Sequence, residues 1–144
     1  MQGNNIVSYL LDTNVISELK RTQPNQHVID WFATVSSESL YLSVLTLGEI
    51  RKGIEKLSAG HKKHALSCWL ENDLPLWFGS RLLLIDAGVA DCWGILQAQA
   101  KRPLPAIDSL LAATAMHHNL CLVTRNVRDF DHSGLTVLNL WSPQ

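Results

Sequence analysis

Apolar residues in this chain form short runs of strand length, and stretches with helical spacing separate these runs. Short strands that alternate with helices are typical of a parallel sheet covered by helices on both faces. We therefore predict an α/β fold, specifically a three-layer α/β/α sandwich around a central parallel sheet of four to five strands. The predicted strands span about residues 6–11, 40–44, 82–85, 120–124 and 135–138.

The helices are predicted from apolar residues three and four positions apart. One helix is expected to begin at Thr46 and to end at Gly60. A second segment, 61–78, has helical spacing but contains Pro75, which must bend or break it because proline lacks a backbone N–H. One further helix is predicted directly after the first strand. The remaining predicted helices span about residues 27–35, 87–100 and 106–116.

Length and composition fit one globular domain over residues 1–144. Hydrophobic residues make up 47% of the chain, charged residues 17%, and the net charge is −1. A net charge near zero argues against a protein that binds nucleic acid through a basic surface alone. It does not argue against an enzyme whose bound metal ions contact the phosphate groups. The three cysteines form no paired motif, and no signal or membrane-spanning segment is recognisable. We expect a soluble, cytoplasmic protein without membrane contact.

Four acidic residues lie after predicted strands or near the start of predicted helices. Asp12 and Asp129 follow strands, whereas Glu49 and Asp108 lie early in helices. A parallel sheet brings such positions to one edge, where ligands bind. Clustered carboxylates repel one another unless a cation neutralises them, and hard divalent cations prefer oxygen ligands. The pattern therefore favours Mg²⁺ or Mn²⁺ over zinc, which prefers histidine and cysteine.

Each acid also has a purely structural interpretation. Asp12 would cap the following helix, and Thr46 with Glu49 forms a T-x-x-E capping box. Asp108 suits the positive end of its helix dipole. Asn126 and the acid three residues later could repeat the capping geometry after the fourth strand. If these interpretations were all correct, the chain would be a non-catalytic protein-interaction domain.

Other chemistry finds little support in the sequence. No glycine-rich nucleotide loop, histidine metal motif or recognisable serine or cysteine nucleophile is present. We interpret Asp86 as a helix N-cap and His117 with His118 as a solvated helix end, and we place Asp86 and Asp91 outside the metal site. A different Mg²⁺-dependent phosphohydrolase, with Asp12 as nucleophile, remains an alternative enzyme.

Each candidate acid lies within a short sequence motif. These motifs are LLDTNVIS at 10–17, GEIRKG at 48–53, Ile107–Asp108 ahead of a Leu-Leu-Ala-Ala run, and VTRNVRDF at 123–130. In order and spacing they resemble the motifs of the PIN-domain ribonucleases, in particular the FitB-like sub-group of VapC-type toxins. The resemblance extends from about Val7 to Leu138. It implies a PIN-like fold and a Mg²⁺-dependent endoribonuclease that is the toxin of a type II toxin–antitoxin module.

Carried over residue by residue, the resemblance assigns catalytic and metal-binding roles to Asp12, Glu49, Asp108 and Asp129. Thr124 resembles the family's hydroxyl near the metal, and Asn14 its polar neighbour of the first acid. Many relatives have an acid at the place of Asn126, so either Asn126 or Asp129 is the fourth ligand, and we favour Asp129. The basic neighbours that could hold RNA phosphates are Arg51, Lys52, Arg125 and Arg128.

The same resemblance implies a homodimer and a small VapB-type antitoxin. Two helical stretches carry more large apolar side chains than a small core needs, so we expect an exposed groove there, with core packing as the alternative. An antitoxin tail in this groove would place a basic side chain against the four acids. The apolar side chains are Leu47, Ile50, Ile54, Leu57, Leu66, Trp69, Leu70, Leu74, Trp77 and Phe78.

Overall fold

Five short parallel strands form the centre of the molecule, in the order β3-β2-β1-β4-β5. The structure is a computed structural model that describes residues 7–142; position 6, in the first predicted strand, lies outside them. Helices cover both faces, which confirms the predicted α/β/α architecture. The strands are β1 (Tyr9–Leu11), β2 (Leu40–Ser43), β3 (Leu82–Leu83), β4 (Cys121–Val123) and β5 (Val137–Leu138).

The helices alternate with these strands along the chain, close to their predicted positions. Asp86 accepts a hydrogen bond from the Val89 amide at 3.0 Å and so caps its helix, as predicted. Within residues 7–142, no helix is long and apolar enough to cross a membrane. The helices are α1 (Thr13–Glu18), α2 (Gln26–Thr34), α3 (Val44–Glu55), α4 (His61–Cys68), α5 (Leu74–Phe78), α6 (Ala87–Gln99) and α7 (Ala106–His117).

Helix α3 begins two residues before its predicted start, which matters for Glu49. The N-cap is Ser43, whose hydroxyl accepts a hydrogen bond from the Leu45 amide at 3.0 Å. Thr46 is fully buried inside the helix, and its hydroxyl has no hydrogen-bond partner within residues 7–142. The predicted capping box of Thr46 and Glu49 is therefore wrong, because the serine at the end of β2 caps the helix first. Glu49 is left with no capping role.

Pro75 changes the helix type without ending the helical segment. A π-helical turn, Trp69–Asp73, joins α4 to α5, and Pro75 occupies the first turn of α5. At this position the missing N–H of proline costs little. The wider turn before it absorbs the break that the sequence predicts at Pro75.

The apolar side chains of α3 to α5 mostly belong to the core. Leu10 and Leu11 point to opposite faces of the sheet and are both fully buried, so each face has its own cluster. Six of the ten side chains that were expected to line an exposed groove are therefore core residues, because these helices must cover a sheet of very short strands. The side chains that are buried in the core are Ile50, Ile54, Trp69, Leu70, Leu74 and Phe78.

Candidate metal and active site

Asp12 lies at the carboxyl end of β1. Its backbone N–H donates to the carbonyl oxygen of Val123 at 2.9 Å, which continues the pairing with β4 by one residue. The side chain is 7% exposed, and one carboxylate oxygen, Oδ1, accepts a hydrogen bond from the Thr13 amide at 2.7 Å. Asp12 thus caps α1, as one interpretation predicted, while its second oxygen remains available for other contacts.

Two polar side chains hold that second oxygen. The hydroxyl of Thr124, which follows β4 and is fully buried, donates to Oδ2 of Asp12 at 2.7 Å. The amide nitrogen of Asn14 lies 3.4 Å from the same oxygen and 3.4 Å from the Thr124 hydroxyl. The side-chain oxygen of Asn14 in turn accepts from the Arg125 amide at 3.2 Å. Asn14 and Thr124 therefore lie beside Asp12, where the resemblance expected them.

Glu49 reaches this network through Thr13. It is exposed on α3, and its Oε1 accepts a hydrogen bond from the Thr13 hydroxyl at 2.5 Å. The carboxylates of β1 and α3 are thus connected through one residue. Thr13 was not among the predicted site residues, although it stands between Asp12 and Asn14 in the sequence.

Asp108 and Asp129 complete the acidic set. Asp108 is half-buried in the first turn of α7, and Asp129 is exposed in a 3₁₀ turn after β4, Val127–Phe130. Burial raises the pKa of Asp108, and the charges of Asp129 and Glu49 raise it further. The last two contributions mean that the charges of α3, α7 and the turn after β4 act on one another.

The pKa of Asp12 is raised in the same way. Burial is the main cause, and the charges of Glu49 and Asp108 add to it, while hydrogen bonds from Thr124 and Thr13 oppose the shift. All four acids therefore share one electrostatic environment. The arrangement is open, since within residues 7–142 no three of these acids have oxygens that all lie within 4.8 Å of one another.

The donor chemistry of this set fits Mg²⁺ or Mn²⁺. The donors are carboxylate oxygens, and after burial it is the charges of neighbouring acids that raise the pKa values of Asp12 and Asp108, a repulsion that a cation would offset. Neither histidine nor cysteine belongs to the set, which disfavours zinc.

Comparison with known proteins places the fold and these acids in a family. The sequence matches the PIN domain family over residues 9–134, a span that includes every one of the four acids. The chain belongs to the PIN domain family.

Its relatives share most of its length. Toxin FitB of Neisseria gonorrhoeae is 38% identical over 135 residues, which are 92% of this chain and 97% of the toxin. The VapC ribonuclease of Sinorhizobium fredii is 34% identical over 137 residues, 93% of this chain and 98% of the ribonuclease. A solved FitAB complex bound to a DNA fragment contains a similar chain: the TM-score is 0.87, the identity 35%, and the coverage 94% of this chain and 97% of that one.

Asn126 and Asp129, the two candidates for the fourth ligand, differ in their interactions. Asn126 uses its backbone N–H to donate to the Thr124 hydroxyl at 3.0 Å, and its side chain makes no capping hydrogen bond. The predicted capping role of Asn126 is therefore wrong. Asp129, in contrast, carries a charge that contributes to the raised pKa of Asp108.

The four basic residues that could contact RNA phosphates differ in the contacts that they already make within the protein. Arg51 pairs with Glu71 at 2.6 Å and with Glu55 at 3.4 Å, which makes it the least available to a phosphate. The guanidinium group of Arg125 lies 5.3 Å from the ring centre of Trp141. Lys52 and Arg128 are exposed.

A groove of about 740 Å³ extends from the site, and only its apolar part was predicted. It begins at Thr13 and Glu49 and runs between α1, α3 and α4. Its lining combines apolar side chains with basic ones, and the latter come from elements that are distant in sequence, so no local motif indicates them. The apolar lining residues are Ile50, Ile54, Leu57, Leu66 and Trp69, and the basic ones are Lys20, Arg21 and Lys62.

Proposed function

We propose that this chain is a divalent-metal-dependent endoribonuclease and the toxin of a type II toxin–antitoxin module. The observation that carries the nuclease proposal is that acids from four separate elements lie at one end of the sheet, with Thr13 bonded to both Asp12 and Glu49. The toxin proposal rests on the relatives, which are named as a toxin and as a VapC ribonuclease. In addition, similar chains are found in FitAB and FitAcB complexes.

The acids would hold Mg²⁺ or Mn²⁺ in this proposal: Asp12, Glu49, Asp108 and Asp129. A bound ion of this kind supplies positive charge to the scissile phosphate and lowers the pKa of water, so that no side-chain nucleophile is needed. Thr124 and Asn14 orient Asp12 through their hydrogen bonds, and the bond from Thr124 also favours the ionised form of Asp12. Thr13 orients Glu49 through its own hydrogen bond. One or two ions would satisfy this description.

Substrate contacts are proposed for the exposed basic side chains. Phosphate contacts position a nucleic acid without reading its sequence. Lys52 and Arg128 are free to swing toward an RNA backbone, while Arg125 would have to leave Trp141 and Arg51 would have to leave Glu71. The net charge of −1 means that long-range attraction contributes little. Binding of RNA should therefore depend strongly on the metal.

The groove beside Glu49 is the proposed docking place for an antitoxin segment. Its floor offers Ile50, Ile54 and Trp69 to apolar side chains, and its open end reaches Thr13 and Glu49. A basic antitoxin residue at that end would compete with the metal for the carboxylates. A homodimer of the toxin belongs to the same proposal.

Cleavage of a fluorescent single-stranded RNA tests the nuclease. Purified wild-type protein should cleave it with Mg²⁺ or Mn²⁺ and stop in EDTA, and Asp12→Asn and Asp108→Asn should be inactive. Asp91→Asn is the matched control, because Asp91 is an exposed acid on α6 outside the site. Undiminished cleavage in EDTA would disprove the metal mechanism.

Expression in bacteria tests the toxin. Wild-type protein alone should arrest growth, whereas Asp12→Asn should be harmless. Co-expression of the small protein encoded beside it should restore growth, and the two should purify as a complex. If the wild-type chain is harmless and purifies as a monomer, the toxin proposal fails, while the nuclease proposal survives.

A further inference from the structure

Three side chains with metal-binding chemistry meet at the far end of α7 from Asp108. Asp86, His117 and His118 each present one ligand atom, and these atoms all lie within 4.8 Å of one another. His117 is nine residues beyond Asp108, which is about 14 Å along a helix. The cluster is therefore separate from the four acids.

The packing of α6 against α7 creates this cluster. Gln97 bonds to the backbone of Leu104 and to Ser109, so the end of α6 lies beside the start of α7. The helices are thus antiparallel, and the start of α6 meets the end of α7. The sequence separates Asp86 from His117 by 31 positions, which is why their proximity could not be foreseen.

Gly88 makes room for one imidazole. The ring of His117 packs so closely on the first turn of α6 that a Cβ atom at residue 88 would lie 2.3 Å from its Cε1 and Nε2 atoms. The ring of His118 stands at 76° to that of His117, with 4.8 Å between the ring centres. A side chain at residue 88 would displace the first imidazole from Asp86.

A buried polar atom gives independent support. Asp86 and His117 are exposed, but Nε2 of His118 is buried and has no hydrogen-bond partner among the described residues. A buried polar group without a partner costs free energy, and such groups often mark functional positions. The pKa of Asp86 is lowered, first by the hydrogen bond from the Val89 amide and then by the charges of His117 and His118.

Ordinary helix-end effects explain these residues only one at a time. Asp86 is an N-cap, and histidines near a helix C-terminus interact favourably with the dipole. Neither effect requires the side chains to converge. Charge attraction between Asp86 and the two histidines favours their convergence without a metal, but it does not account for the buried nitrogen of His118 that lacks a partner.

We propose that Asp86, His117 and His118 form a second metal site, which binds a transition-metal cation of the Zn²⁺ class. Two imidazoles and one carboxylate are ligands that zinc takes, with a fourth position open to water. Mg²⁺ prefers oxygen donors and a regular octahedral shell, so it does not suit this set. The bound ion would fasten the start of α6 to the end of α7, the helix that carries Asp108.

Calorimetric titration of tag-free, full-length protein with Zn²⁺ in excess Mg²⁺ tests the proposal. Wild-type protein should bind one equivalent, and Zn²⁺ should raise its melting temperature. Asp86→Asn removes the charge but keeps an oxygen to accept from the Val89 amide, so the cap survives. We expect this variant and His117→Ala each to lose at least about tenfold in Zn²⁺ affinity.

Gly88→Ala provides a test that leaves every ligand in place. Alanine stabilises a helix relative to glycine by about 1 kcal/mol, so the fold should hold while the new Cβ displaces His117. Loss of Zn²⁺ binding in this folded variant would support the site. His64→Ala and Asp108→Asn are controls that should bind as wild type; His64 lies 3.6 Å from the sulfur of Cys68 and is the competing location.

Three results would overturn the proposal. The first is wild-type affinity no better than that of a His117→Ala/His118→Ala double variant. The second is binding that disappears in His64→Ala, and the third is unchanged binding in Gly88→Ala.

Discussion

Replacement of Thr124 by valine removes the hydroxyl that orients Asp12 and that also accepts a hydrogen bond from the Asn126 amide. Valine has nearly the same shape as threonine but lacks the hydroxyl, which is fully buried and donates to Oδ2 of Asp12 at 2.7 Å. A hydrogen bond to a charged group contributes about 1.5–3 kcal/mol. Because about 1.4 kcal/mol corresponds to a factor of ten, RNA cleavage should fall about 10- to 100-fold.

The pH dependence of the variant gives a second, more specific signature. The Thr124 hydroxyl lowers the pKa of Asp12 against the effect of burial, so its removal raises that pKa further. The acid limb of the pH–rate profile should therefore move to higher pH, and activity should recover in part as the pH rises. Stability at neutral pH should also fall, by about 2–4 °C in melting temperature per kcal/mol lost.

Thr124→Ser is the matched control, because serine keeps the hydroxyl and loses only a methyl group. Its activity and pH profile should remain close to wild type. The reasoning would be refuted if Thr124→Val cleaved RNA at the wild-type rate with an unmoved profile. It would be refuted equally if serine and valine reduced activity to the same extent, since packing would then be the cause.

Three further predictions concern the acids. Replacing any of the four acids by its amide should abolish most RNA cleavage. The stability of the metal-free protein should hold or rise, because the repulsion between like charges is relieved. An acid that only caps a helix would instead cost about 0.5–2 kcal/mol of stability on truncation to alanine, and activity would be retained. Thermal melts beside RNA cleavage assays separate the two. Asp129→Asn should impair cleavage more than Asn126→Ala does, and the reverse order would exchange their roles. The pKa of Asp108 is raised in the folded state. Its contribution to stability is therefore lost as the pH rises from the pKa of the unfolded state through the pKa of the folded state. Across that pH window, denaturant titrations should show Asp108→Asn gaining stability relative to wild type.

The fold and the acids of the candidate site were predictable because both depend on local pattern. Alternating strands and helices indicate a parallel sheet, and residues that follow parallel strands must share an edge. Asp12 was assigned to this edge from its place after the first strand, whereas Thr124 was assigned to the site only through the resemblance to the PIN-domain ribonucleases. The structure brings the two side chains within 2.7 Å.

The remaining features depend on contacts between distant elements. Ser43 caps α3 ahead of Thr46, and a strand residue so close to the helix gives no clear local signal of its capping role. The bond from Thr13 to Glu49 joins α1 to α3, and the meeting of Asp86 with His117 depends on antiparallel helix packing. The apolar side chains of α3 to α5 looked excessive for a small core because the sequence does not show how little of each face the short strands cover.

Anomalous diffraction from crystals of the active protein soaked in Mn²⁺ tests the central claim most directly. The account predicts an anomalous peak among the carboxylates of Asp12, Glu49, Asp108 and Asp129, and its loss in crystals of Asp108→Asn. An ordered four-acid site without a peak, in protein that still cleaves RNA with Mn²⁺, would contradict the account.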